Sequence, residues 1–147
     1  MNIKKNYKVA VLHDWLDKKA GAENVLEQIL IIYPSADLFT LVNFMDKNDS
    51  SFLMNHKIIT SFIQKLPFAK KKFRFYFFLF PLAIFFFKLD SYDLIISSSH
   101  SYVKNIRKQK YQKHVCYCYT PIRYCYDMKT DYINDYCKNN FFLKVVL

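Results

Sequence analysis

Four short groups of residues in this chain combine side chains that can hold or handle a ligand. His13-Asp14-Trp15 closes an apolar run, Ala20-Gly21-Ala22-Glu23 opens an amphipathic stretch, Ser97-Ser98-Ser99-His100 ends a second apolar run, and Tyr119-Thr120-Pro121-Ile122-Arg123-Tyr124 ends a third. Backbone N–H groups at a helix start favour negative charge, and a guanidinium such as that of Arg123 pairs with phosphate or carboxylate in two-pronged fashion. The set suits the binding of polar or anionic groups. Three of the groups also have a plainer reading: a polar pair closing a strand, an ordinary loop and helix start, and a surface ion pair between Arg123 and Asp127. Cys116, Cys118, Cys125 and Cys137 follow neither paired zinc-ligand spacing nor a secreted disulfide framework, so no metal is expected and the thiols read as reduced, buried in strand and helix.

These groups need elements to position them. Tyr7-Lys8-Val9-Ala10-Val11-Leu12-His13 has the length and composition of a buried central strand. Apolar residues at 22, 25, 26, 29, 30 and 33 then repeat with helical period until Pro34 stops them, and residues 36–42 supply a second strand. Residues 46–55 form a polar loop, Lys57-Ile58-Ile59-Thr60 a small strand, and Ser61 the N-cap of a short helix closed by Pro67. Residues 93–97 and 114–119 are further strands, with a helix-like stretch between His100 and Lys108. Strands alternating with helices predict an α/β fold with a parallel, Rossmann-like sheet flanked by helices. No repeat or linker divides residues 1–147, which read as one domain.

Between Lys70 and Lys88 a basic cluster, Lys70-Lys71-Lys72-Phe73-Arg74, leads into an apolar run from Phe75 to Phe87 interrupted only by Pro81. The run is too short to span a bilayer, which takes about twenty helical residues. Two main readings stand: a pair of helices kinked at Pro81 whose rings fill the core, or a surface whose Phe side chains enter the acyl boundary while Lys70, Lys71, Lys72 and Arg74 meet anionic headgroups.

The composition agrees with a folded domain: 147 residues, 52% hydrophobic and 23% charged, with 19% aromatics and a formal charge of +10. That charge attracts polyanions. No nucleic-acid-binding motif accompanies it, and nucleic acid is not an expected partner. No stretch resembles a signal peptide, which points to the cytoplasm and, with the basic Phe-rich segment, to its membrane face.

Taken in order, the strand-end groups resemble the family-four (group 1) glycosyltransferases of the two-Rossmann-domain (GT-B) class, especially the bacterial mannosyltransferase-like branch. Thr60-Ser61-Phe62-Ile63-Gln64-Lys65-Leu66-Pro67, Pro81-Leu82-Ala83-Ile84 and Tyr92-Asp93-Leu94-Ile95-Ile96-Ser97-Ser98-Ser99-His100 extend the resemblance, which runs from about Lys8 to Tyr136.

The resemblance implies an acceptor-side N-terminal domain of a retaining enzyme that moves a hexosyl group, mannosyl in the branch it resembles, from a nucleotide sugar to a lipid-linked or cell-surface polysaccharide acceptor. No cofactor is implied beyond the nucleotide-sugar donor. Gly21, Ala22 and Glu23 would form the donor-diphosphate loop, with Ala20 in place of the family's first glycine. His13, Asp14, His100, Tyr119 and Arg123 would contact acceptor or sugar, with Tyr119 in place of a histidine whose imidazole it cannot copy. The family's second Rossmann domain, with its basic pair and Glu-x7-Glu element, has no counterpart here. The chain therefore reads as a truncated or split product, inactive alone and served by a separate donor-domain chain. The alternative is a non-catalytic membrane-surface or interaction remnant.

Overall fold

In the computed structural model, which describes residues 7–120, the chain is an α/β protein built on one five-stranded parallel sheet. The strands are β1 (Val9–His13), β2 (Asp37–Thr40), β3 (Ile58–Thr60), β4 (Leu94–Ser99) and β5 (Lys113–Cys118), in the order β3-β2-β1-β4-β5. The helices are α1 (Gly21–Ile32), α2 (Ala69–Lys72) and α3 (Phe80–Phe85), joined by several 3-10 turns. This is the Rossmann-like arrangement that the sequence predicts.

Alternation along the central strands sorts two cores. Val9, Val11, Leu38 and Ile96 pack with Leu26 and Leu30 of α1 on one face. Ala10, Leu12, Phe39 and Ile95 pack with Phe73, Phe80, Ala83 and Ile84 on the other. Strands covered on both faces must be apolar at successive positions, which is why β1 is buried throughout. Tyr92 locks the second layer to the sheet by donating its hydroxyl to Asp37 at 2.5 Å. Burial, then the bond to Asp37, then its charge raise the Tyr92 pKa well above the usual phenol range.

Four expectations need correction. Pro81 does not kink a helix; it sits in the first turn of α3, where its missing N–H costs nothing, and the break falls earlier, at Tyr76. The segment after His100 is not helical beyond a single 3-10 turn, Val103–Asn105, which ends where Ile106 takes an extended backbone; the N–H groups of residues 100–103 turn inward to a carboxylate. The Phe-rich segment does not fill the core as a whole: Phe73 and Phe80 are buried, while Phe75, Phe78, Phe85 and Phe86 are exposed. Cys116 and Cys118 are exposed: among the described residues β5 is the outermost strand and its side chains are largely uncovered on both faces. Cys125 and Cys137 lie outside the described residues.

Candidate functional site at the carboxyl edge of the sheet

All five strands run the same way, so the ends of β1, β4 and β5 open on one edge, where α/β sheets bind ligands. Two hydrogen-bonded networks occupy it.

The first is built on Asp14. Its carboxylate is fully buried and accepts four consecutive backbone N–H groups: those of His100 (2.8 Å) and Ser101 (3.0 Å) at Oδ2, and those of Tyr102 (2.9 Å) and Val103 (3.0 Å) at Oδ1. The Ser99 hydroxyl donates to the same group, 3.0 Å from Oδ2, and His100 Nδ1 lies 3.3 Å from it. A buried carboxylate persists only when donors replace its water, and here the loop after β4 curls to supply them. Asp14 thus shapes the loop from inside it. His100, by contrast, is partly exposed and stands edge-on to Trp15 at 4.6 Å. Burial is the main cause that lowers the His100 pKa; the charges of Asp14 and Glu23 oppose it, and those of His13 and Lys104 reinforce it.

The second network joins β1, α1, β4 and β5. His13 Nδ1 is 3.1 Å from Ser98 Oγ, and its Nε2 is 3.4 Å from Glu23 Oε1. Ser98 Oγ lies 2.9 Å from the Tyr119 hydroxyl, which donates to the Ala22 carbonyl at 3.0 Å. Glu23 Oε2 accepts from the Ala20 N–H at 2.9 Å, closing the start of α1, while the alanine methyl returns no bond. Burial raises the Glu23 pKa, but the His13 hydrogen bond and charge and two backbone N–H groups outweigh it, so the carboxyl stays below its ordinary range. Tyr119 is shifted up, chiefly by burial; its bond with Ser98 opposes this and the charges around it add to it.

Of the residues singled out from the sequence, His13, Ala22, Glu23 and Tyr119 meet in one network, and Asp14 and His100 in its neighbour. Gly21 is exposed at the start of α1, has no positive φ, and a Cβ built on it meets nothing within 4 Å. The backbone there does not require glycine. Arg123 lies outside the described residues. Lys70, Lys71 and Lys72 stand exposed on α2, whereas Arg74 is bound to Asp17 at 3.0 Å with its guanidinium 4.6 Å from the Phe73 ring centre. The sequence marks Ser98 and Ser99 as part of a strand-end group without naming their partners; their place opposite His13 and Asp14 follows from the β1–β4 pairing, in which His13 is level with Ser98.

The chain is similar to a solved structure of a lipopolysaccharide outer core galactosyltransferase, WaaB, in its apo form. The match has 20% identity and a TM-score of 0.33 and covers 61% of this chain and 26% of that one, well under two thirds of its length. No family model and no curated protein matches the chain.

Proposed function

We propose that the chain is the acceptor-side Rossmann-like domain of a retaining glycosyltransferase of the family-four type, acting with a donor-binding half carried on the same or a second polypeptide. The observation that supports this reading is the convergence of His13, Glu23, Ser98 and Tyr119 at the carboxyl edge of a parallel sheet. These residues belong to the separate stretches of sequence that resemble the family.

In this reading the start of α1, at the exposed Gly21 and half-buried Ala22, faces the donor diphosphate, where helix N–H groups favour negative charge. His100 and Trp15 offer a partly open polar and aromatic surface to acceptor or sugar, and Arg123 an anion-binding group. Asp14, His13 and Glu23 hold that edge in shape. Transfer of a hexosyl group to a lipid-linked or polysaccharide acceptor then depends on stabilising the departing diphosphate and aligning the acceptor hydroxyl, with no protein nucleophile. The domain works at the cytoplasmic membrane surface.

A second reading, a non-catalytic binding remnant of such an enzyme, is favoured by one observation: the Tyr119 hydroxyl is already engaged by Ala22 and Ser98. Sugar transfer from a panel of radiolabelled nucleotide sugars to membrane lipid extracts separates the two, with this chain assayed alone and with a donor-domain chain. Transfer only with both supports the enzyme. No transfer, with donor binding by the partner confirmed, supports the remnant.

A further inference from the structure

The segment from Phe73 to Phe87 winds through a 3-10 turn into α3 and carries two apolar stripes instead of one. Phe73, Phe80, Ala83 and Ile84 enter the core. On the other side Phe75, Phe78, Leu82 and Phe85 recur at intervals of three, four and three residues and are 74%, 65%, 48% and 58% exposed. Phe86, beside them, is 61% exposed. A helical segment that is hydrophobic all round normally has both sides covered, and adjoining exposed apolar side chains of this size mark an interaction surface.

Two observations indicate what covers this one. Between Asp49 and Asp90 the chain has no acidic residue but six lysines and Arg74. Arg74 is spent on Asp17, which leaves Lys65, Lys70, Lys71 and Lys72 among the exposed cations of this stretch, and the Arg107 guanidinium lies over the Phe85 ring of the stripe at 5.5 Å. In addition Phe68, which caps α2, holds a left-handed backbone (φ 55°) that bulky residues rarely adopt, yet its ring is 78% exposed and gains no burial in return. Apolar rings bordered by uncompensated cations fit a surface that is apolar within and anionic at its rim.

We propose that Phe68, Phe75, Phe78, Leu82 and Phe85 form a docking surface for an anionic lipid bilayer, with the rings in the acyl boundary and Lys70, Lys71 and Lys72 among the headgroups. The chain lies on the bilayer through this face; among the described residues no helix is long and apolar enough to cross it. This deepens the membrane-surface part of the proposed function, and its test needs no sugar transfer, so either can fail without the other.

The test is co-sedimentation of the 147-residue chain with phosphatidylcholine vesicles, with and without phosphatidylglycerol. The expected result is binding to the anionic vesicles roughly tenfold or more above the neutral ones, weakening as salt rises. Phe75→Ser with Phe78→Ser, both at exposed positions, should lower binding by roughly tenfold while the circular dichroism spectrum stays unchanged. Lys70→Gln, Lys71→Gln and Lys72→Gln together should remove the preference for anionic lipid. In a Phe78→Trp variant, emission should shift to the blue on vesicle binding and be quenched by brominated acyl chains. Absence of binding to anionic vesicles would overturn the proposal, as would equal binding by the double serine variant. A dimer in solution that the serine variant abolishes would assign the stripe to a second copy of the chain instead.

Discussion

The Tyr119 hydroxyl donates to the main-chain carbonyl of Ala22, tying the residue after β5 to the first turn of α1 across 97 positions of sequence. That bond orients everything behind it. A carbonyl only accepts, so the one phenolic proton is committed to Ala22; Ser98 must then donate to the Tyr119 oxygen, and His13 Nδ1 must donate to Ser98. The direction of the chain is set at its far end. The Glu23 carboxylate can only accept, so its 3.4 Å contact with His13 Nε2 is a hydrogen bond only when that nitrogen also carries a proton.

Tyr119→Phe removes the donor to Ala22 and the acceptor for Ser98 while keeping the ring. We expect a loss of about 1–2 kcal/mol in chemical denaturation. In the parent protein, nitrogen NMR of the His13 ring should find Nδ1 protonated. A bare Nδ1 would mean that the chain of bonds runs the other way.

Asp14→Asn keeps the size of the side chain but replaces one acceptor oxygen with an amide that faces N–H donors. Several charge-assisted bonds are lost or weakened together in a buried place, so the cost should reach about 3 kcal/mol or more. Amide hydrogen exchange should locate the loosening at residues 100–103. A loss confined to activity, with stability kept, would assign Asp14 to ligand contact.

Gly21→Ala separates folding from binding. Nothing within 4 Å opposes the new methyl group, and alanine is the better helix former, so stability should be unchanged or rise by a few tenths of a kcal/mol. If the start of α1 faces a diphosphate, sugar transfer by the assembled enzyme should nevertheless fall. Equal activity would remove Gly21 from the donor site.

Acid should weaken the fold through three groups acting in one direction. Glu23 has a lowered pKa: burial opposes this, but the bond and charge of His13 and the backbone donors prevail, so its contribution is present above the ordinary carboxyl pKa and lost as pH falls through the lower folded value. His100 and His114 are lowered chiefly by burial, with Lys108 adding to the effect on His114. Their neutral forms are favoured in the fold, so their contribution is complete above the ordinary imidazole pKa, about 6.5, and declines below it. Unfolding free energy should therefore drop in two stages, first below about pH 6.5 and then below the carboxyl range. Glu23→Gln should flatten the second stage and, by removing a charge that opposes the lowering of the His100 pKa, slightly deepen the first.

What could be read from the sequence follows from the range of each signal. β1, α1 and β2 are visible because apolar period and Pro34 act locally, and the buried runs at residues 9–13 and 94–99 leave little choice but a covered parallel sheet. The stretch after His100 is shorter than its helix-like pattern suggests, a single turn that ends at an extended Ile106, and its leading N–H groups bond a carboxylate 86 positions earlier, which no local pattern reports. The Phe-rich segment was ambiguous for a different reason: when both sides of a helix are apolar, periodicity cannot say which faces the core. In the site, His13 and Glu23 drew notice as strand-end and helix-start residues, but the donors around Asp14 are backbone groups, and backbone N–H groups carry no sequence signature.

The attachment of Asp14 to residues 99–103 also bears on how the chain reaches its fold. β1 lies at the centre of the sheet and is made first, yet one of its two neighbours, β4, and all the donors to Asp14 come from more than 80 positions later. Closing so long a loop is entropically costly and slow. Until β4 emerges during synthesis, β1 has one open edge and an unmatched carboxylate beside it, so the nascent β1-α1-β2 unit is a segment that other chains could capture. Pairing with the serine-rich strand closes that edge and supplies the donors to the carboxylate together.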